Sequence, residues 1–196
     1  MSGIVGSYFN TRGSGVVAKL GSDGQVFTST GAGLSQGFEA AAGGGKIGQV
    51  VTVQNLDQES TSSSSWVEIS DLSVSITPTA TSSKIWIVSS LTVGWEQAQI
   101  MFRLMRDSTA IAVGTGVGNR TAASFSTGRE ITGLQYTAYP HAFTWLDEPS
   151  TVSAVAYTWQ WDTATGTTYL NSTDDDSDNK YYCRTPSSIT VMEVLA

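Results

Sequence analysis

From Ile47 onward the chain alternates apolar and polar residues with a period of two, and helical spacing is almost absent. Leu72, Val74 and Ile76 lie on one side of an extended backbone with Ser73 and Ser75 on the other; Ile100, Phe102 and Leu104 repeat the pattern, as do Ile189, Val191 and Leu195. Clusters such as Thr77-Pro78, Arg106-Asp107-Ser108 and Asp147-Glu148-Pro149-Ser150 interrupt the alternation with turn-forming residues. The spacing predicts strands over residues 49–54, 66–69, 72–76, 84–93, 98–106, 109–113, 122–127, 134–146, 153–161, 167–170 and 188–195. So many short strands in roughly 150 residues predict an all-β fold, an antiparallel jelly-roll-like β-sandwich.

The first part of the chain is different. Of 20 glycines, 13 fall within the first 48 residues, whose charges are Arg12, Lys19, Asp23, Glu39 and Lys46. Glycine loses the most backbone entropy on folding, so this segment is not expected to hold a core of its own. Residues 1–45 are predicted to form an extended Gly-rich N-terminal arm that closes on the hinge Ala40-Ala41-Ala42-Gly43-Gly44-Gly45, and residues 46–196 the sandwich. Ile4, Val5, Tyr8, Phe9, Val26 and Phe27 are the apolar anchors with which the arm would order against a partner.

Several predicted strands are apolar on both sides, as in Ile85-Trp86-Ile87-Val88 and in residues 100–105. A two-layer sandwich needs one apolar face per strand. The second face is therefore expected either against another copy of the chain, a homotrimer being the expected form, or under the arm folded back.

Composition and charge restrict the chemistry. Ten basic against 17 acidic residues, net −7, disfavour nucleic acid, whose affinity rests on Lys and Arg neutralising phosphates. No basic stretch leads into an apolar run at Met1-Ser2-Gly3-Ile4, and no segment reaches about 18 consecutive apolar residues, so neither a signal peptide nor membrane insertion is expected. His141 is the single histidine, which leaves a Ser or Cys nucleophile with one candidate base, and Cys183 has no partner cysteine. No catalytic residue, metal ligand or cofactor is assigned, and the protein is not expected to be an enzyme. Asp174, Asp176 and Asp178 imitate the first ligands of an EF-hand loop, but Asn179 stands at the glycine position and Thr185 where a bidentate Glu is required. A solvated loop is the expectation there. Asn119-Arg120-Thr121 and Asn171-Ser172-Thr173 satisfy the glycosylation tripeptide, which has no meaning without secretion. Trp159 and Trp161 lie two apart on one predicted strand, between Gln160 and Asp162; they are the candidate pair for stacking on a glycan, with core packing as the alternative.

The string Asp23-Gly24-Gln25-Val26-Phe27-Thr28-Ser29-Thr30-Gly31-Ala32-Gly33, within residues 12–33, resembles the amino-terminal region of virion structural proteins of tailed bacteriophages, especially those of marine and cyanobacterial hosts. Residues 48–51, 66–78, 82–85, 102–111, 146–151 and 188–194 are similar to the accompanying sandwich. The resemblance implies a particle-surface protein on tail or capsid, anchored by its arm to other virion proteins. It implies a trimeric fibre or knob that recognises a host-surface glycan or, alternatively, a cement or head-fibre protein that decorates the capsid.

Overall fold

A computed structural model describes residues 8–12, 15–19, 25–28, 37–40, 46–128 and 136–195. The chain divides into two compact units, Met1–Lys46 and Ile47–Ala196. In the first unit, β1 (Tyr8–Arg12) pairs antiparallel with β2 (Gly15–Lys19), and β3 (Gln25–Thr28) with β4 (Gly37–Ala40). These described strands pair with one another, because a lone strand would leave its N–H and C=O groups without partners.

The second unit contains β5 (Ile47–Asn55), β6 (Glu59–Thr61), β7 (Val67–Ile76), β8 (Lys84–Arg106), β9 (Thr109–Ile111), β10 (Phe125–Gly128), β11 (Tyr139–Asp147), β12 (Val155–Leu170) and β13 (Ser187–Val194). Strand β8 is the organiser. Residues 84–93 lie between β13 and β11, and residues 93–106 lie beside β12, with β10 and β9 on the other side. Counting β8 as two segments, the first segment of the sandwich pairs with the eighth (β5 with β13), the second with the seventh (β7 with β12), the third with the sixth (β8 with β11) and the fourth with the fifth (β8 with β10). A long antiparallel hairpin rolled onto itself in this way is a jelly roll. Its two sheets run β5-β13-β8-β11 and β7-β12-β8-β10, with β6 added along the far end of β12.

Between the sheets lies the core, and the alternation puts it there. Ile85, Ile87 and Leu91 of β8 and Ile189 and Val191 of β13 enter from one sheet; Ile69, Leu72, Val74, Ile100, Phe102 and Leu104 enter from the other. Trp159 of β12 ties the layers together. Its indole Nε1 donates to Ser89 Oγ of the opposite sheet at 2.7 Å, and its ring meets Phe143 and Phe125 edge-on at 5.2 and 5.5 Å between centroids.

Three pairs of predicted strands are single strands. The predicted breaks after residue 93 and after residue 161 fall inside β8 and β12, which continue from one end of the sandwich to the other. In β7 the alternation slips by one residue at Ser70-Asp71, which reads as an end in the sequence. It is a bulge: Asp71 has φ 53°, the register against β12 shifts there, and Ile69 and Leu72 both still face the core. The short strand β6 has no alternation to announce it.

Candidate functional site

The proposed attachment residues fall on the first unit. Ile4 and Val5 lie outside the described residues; Tyr8 and Phe9 sit in β1 opposite Lys19 and Ala18, and Val26 and Phe27 in β3 opposite Glu39 and Phe38.

Trp159 and Trp161 do not form a glycan platform. Both are 0% exposed, because β12 has neighbours on both edges and both indoles point between the sheets. Their polar neighbours Gln160 and Asp162 point the opposite way. Gln160 Oε1 accepts from Arg103 Nε at 2.9 Å, and the Arg103 guanidinium stacks over the Trp66 ring at 4.3 Å.

His141 lies on the inner side of β11 among aromatic rings, stacked 6.4 Å from Trp95 and edge-on to Phe125 at 5.6 Å. Burial pushes its pKa below the usual histidine value. Cys183 is exposed in the loop before β13.

The acidic run is a braced loop. Asp175 Oδ1 accepts from the Ser177 amide and hydroxyl, while Asp176 pairs with Arg184 and is held below the ordinary aspartate range by that guanidinium. Among the described residues no group of three or more His, Cys, Asp or Glu side chains is placed to hold a metal ion. The same loop carries Tyr181 and Tyr182, whose rings meet Tyr136 from the loop before β11 at 6.3 and 5.3 Å. The tripeptide asparagine Asn171 is sealed inside. Its Nδ2 donates to the Asn55 and Asp57 carbonyls at 2.9 Å each, its Oδ1 accepts from Ser187 Oγ at 2.6 Å, and its backbone N–H donates to Thr92 O at 2.8 Å. Each of these partners is needed because a buried amide without them would lose its hydrogen bonds to water uncompensated.

Two buried carboxylates also serve the fold. Asp147 accepts from Arg106 Nη1 at 2.9 and 3.0 Å and from Tyr157 OH at 2.8 Å. Glu193, 0% exposed, accepts from the Thr79 amide at 2.6 Å, the Thr79 hydroxyl at 2.7 Å and Gln49 Nε2 at 2.8 Å, which pins the loop between β7 and β8. Burial alone would raise its pKa; the donors together outweigh burial and hold it at about 2.

The outer face of the β5-β13-β8-β11 sheet carries a row of exposed apolar side chains. Register places Val50, Met192, Trp86 and Leu146 side by side across all four strands, with Val194 and Ile47 in the adjoining row. Val50 is 58% exposed, Leu146 47% and Trp86 43%. Beyond the apolar row stand Thr52, Thr190, Val88 and Thr144, the two threonines of β5 and β13 hydrogen-bonded at 3.0 Å. Lys84, at one corner and paired with Glu148 at 2.6 Å, is the single charged residue among those that these four strands turn outward. Sequence reasoning located this face through Ile85-Trp86-Ile87-Val88 but not the row across it, since strand order is what brings Val50 and Leu146 to the two sides of Trp86 and Met192.

Fold and face together define a jelly-roll module with one exposed, nearly uncharged sheet face. No protein-family model and no curated protein matches the chain. Among solved structures, its backbone is similar to the VP2 protein of infectious bursal disease virus in derived T=1 particles, with a TM-score of 0.42 and 12% identity over 96% of this chain and 44% of that one. A second structure of those particles gives 0.42 and 11% over the same shares, and the T13 particle of that virus gives 0.39 and 8% over 86% of this chain and 39% of that one. The chain thus spans less than half the length of these capsid proteins.

Proposed function

We propose that the protein is a non-enzymatic structural component of a bacteriophage virion, in which the first unit attaches to the particle and the jelly roll stands outward as a trimeric fibre or knob. The observation that carries this reading is the exposed, nearly uncharged sheet face, because a soluble monomer seldom leaves an apolar row across a whole sheet without covering it. The resemblance of residues 12–33 to phage virion proteins supports the particle as the setting. The enclosure of His141 supports a role without catalysis, since the one imidazole of the sequence is packed among aromatic rings and, among the described residues, its buried Nε2 has no hydrogen-bond partner to activate.

With Trp159 and Trp161 in the core, a host-surface glycan would meet the loop tyrosines instead, Tyr181 being 61% and Tyr136 49% exposed. The experiment is to label the protein on intact particles and to delete residues 1–45. Label on the tail supports the fibre reading, and label on the head supports decoration. Particle association that survives the deletion would overturn attachment by the first unit.

A further inference from the structure

We propose that the outer face of the β5-β13-β8-β11 sheet, centred on Val50, Met192, Trp86 and Leu146, is the contact through which copies of this chain bind one another. The inference deepens the reading of the sandwich as an assembly module and rests on it; it does not depend on whether the particle is bound by head or tail.

Three observations favour a second copy as the occupant. The first is charge. At net −7, two copies repel each other over most approaches, and this face turns out a single charged residue, Lys84, already paired with Glu148. Copies meeting here bring together no charge beyond these Lys84–Glu148 pairs, each neutral as a pair. A basic partner, by contrast, would find no carboxylate on it other than Glu148.

The second is size. Four strands about 4.8 Å apart and about eight residues long at 3.4 Å per residue span roughly 500 Å2 in projection, before side-chain relief is added. That is the order of the ~800 Å2 each partner buries in a stable protein–protein interface, and far more than one docked peptide strand covers. The third is pattern. The face grades from the apolar row through threonines to Gln54, Ser188 and Ser90, so a copy offers both the apolar surface to bury and hydroxyls to pair, in the proportions of an interface with an apolar centre and a polar rim. In a closed ring, each copy presents this same patch to the symmetry axis.

The test uses the full-length chain. Light scattering on the purified protein at tens of micromolar should give a multiple of 20.7 kDa, three copies for the proposed trimer. Trp86→Lys should return it to single-copy mass or weaken association at least tenfold. Ser75→Lys, the same added charge on the outward side of β7, should leave the mass unchanged. Hydroxyl-radical footprinting of the unaltered protein supplies a readout that does not depend on a variant folding: Trp86 and Met192 should become protected as concentration rises. Wild-type protein at single-copy mass, Trp86→Lys at wild-type mass, or Trp86 and Met192 accessible in the associated protein would each overturn the proposal. Protection that persists at single-copy mass would put the chain's own first unit on the face. Particle binding by a single-copy protein would refute self-association while leaving the virion role standing.

Discussion

Trp159 shows what a residue's neighbours in sequence do and do not reveal. Gln160 and Asp162 invite the reading of a polar surface around an aromatic platform, yet in a strand they report on the opposite face. What fixes the fate of Trp159 is that β12 lies between β7 and β8, a fact of pairing with no trace in the local string. Truncating Trp159 to Ala should destabilise the sandwich by about 3–5 kcal/mol in denaturant unfolding, from lost burial and the cavity left behind. A loss below 1 kcal/mol would mean that the indole is not the tie between the layers. Glu193 is the residue whose effect depends on pH. Its folded pKa of about 2 lies below the unbound value of 4.5, so its contribution to stability is fully present above pH 4.5 and is lost as pH falls toward 2. Glu193→Gln should flatten that acid limb while lowering stability at pH 7 by about 1–3 kcal/mol, since an amide cannot accept from all the donors that converge there. Unfolding curves at pH 3 and pH 7 for both proteins check the sign.

At the scale of elements, the faces were legible and the lengths were not. Period-two alternation placed Leu72, Val74, Ile76, Ile100, Phe102, Leu104, Ile189 and Val191 inward, and all are buried; Leu195, read with the last two, follows the end of β13 and is half-buried. It failed where a strand passes from one sheet to the other, because Val93-Gly94-Trp95 breaks the alternation and reads as a turn. Gly94 stands at that passage. The turn after β12 crosses so close that an added Cβ would meet the Ser172 carbonyl and come within 2.9 Å of Thr173 Cα. Gly→Ala inside a strand ordinarily gains about 0.5–1 kcal/mol through the unfolded chain. Gly94→Ala should instead lose about 1–3 kcal/mol, as overpacking against backbone does, and a gain in thermal stability would show that the crossing has room to relax. Asn171 holds the same turn from behind, in the left-handed region at φ 60°. Asn171→Ala should cost about 3 kcal/mol or more by taking the acceptor from the Ser187 hydroxyl and a donor from the Asn55 and Asp57 carbonyls together.

The whole sandwich is bound into one unit by the length of two strands. Because β8 and β12 run unbroken past the crossing, neither sheet can open without pulling on a strand that also belongs to, or pairs with, the other. Trp159 adds a hydrogen bond from one layer to the other. A jelly roll joined in this way should unfold as one cooperative body rather than sheet by sheet. All six tryptophans belong to this unit, so their fluorescence follows it alone, without contribution from Met1–Lys46. Native-state hydrogen exchange locates the unit more finely. The amides of Ile87 in one sheet and Leu104 in the other should converge on a single opening free energy as denaturant rises, equal to that from tryptophan fluorescence. If the Ile87 amide opens at a free energy several kcal/mol below that of Leu104, the sheets are separate folding units and β8 is a linker between them. The prediction bears on assembly, since a face formed by four strands is available to a second copy only while all four are held together; a sheet that opened alone would release the contact row of Val50, Met192, Trp86 and Leu146 with it.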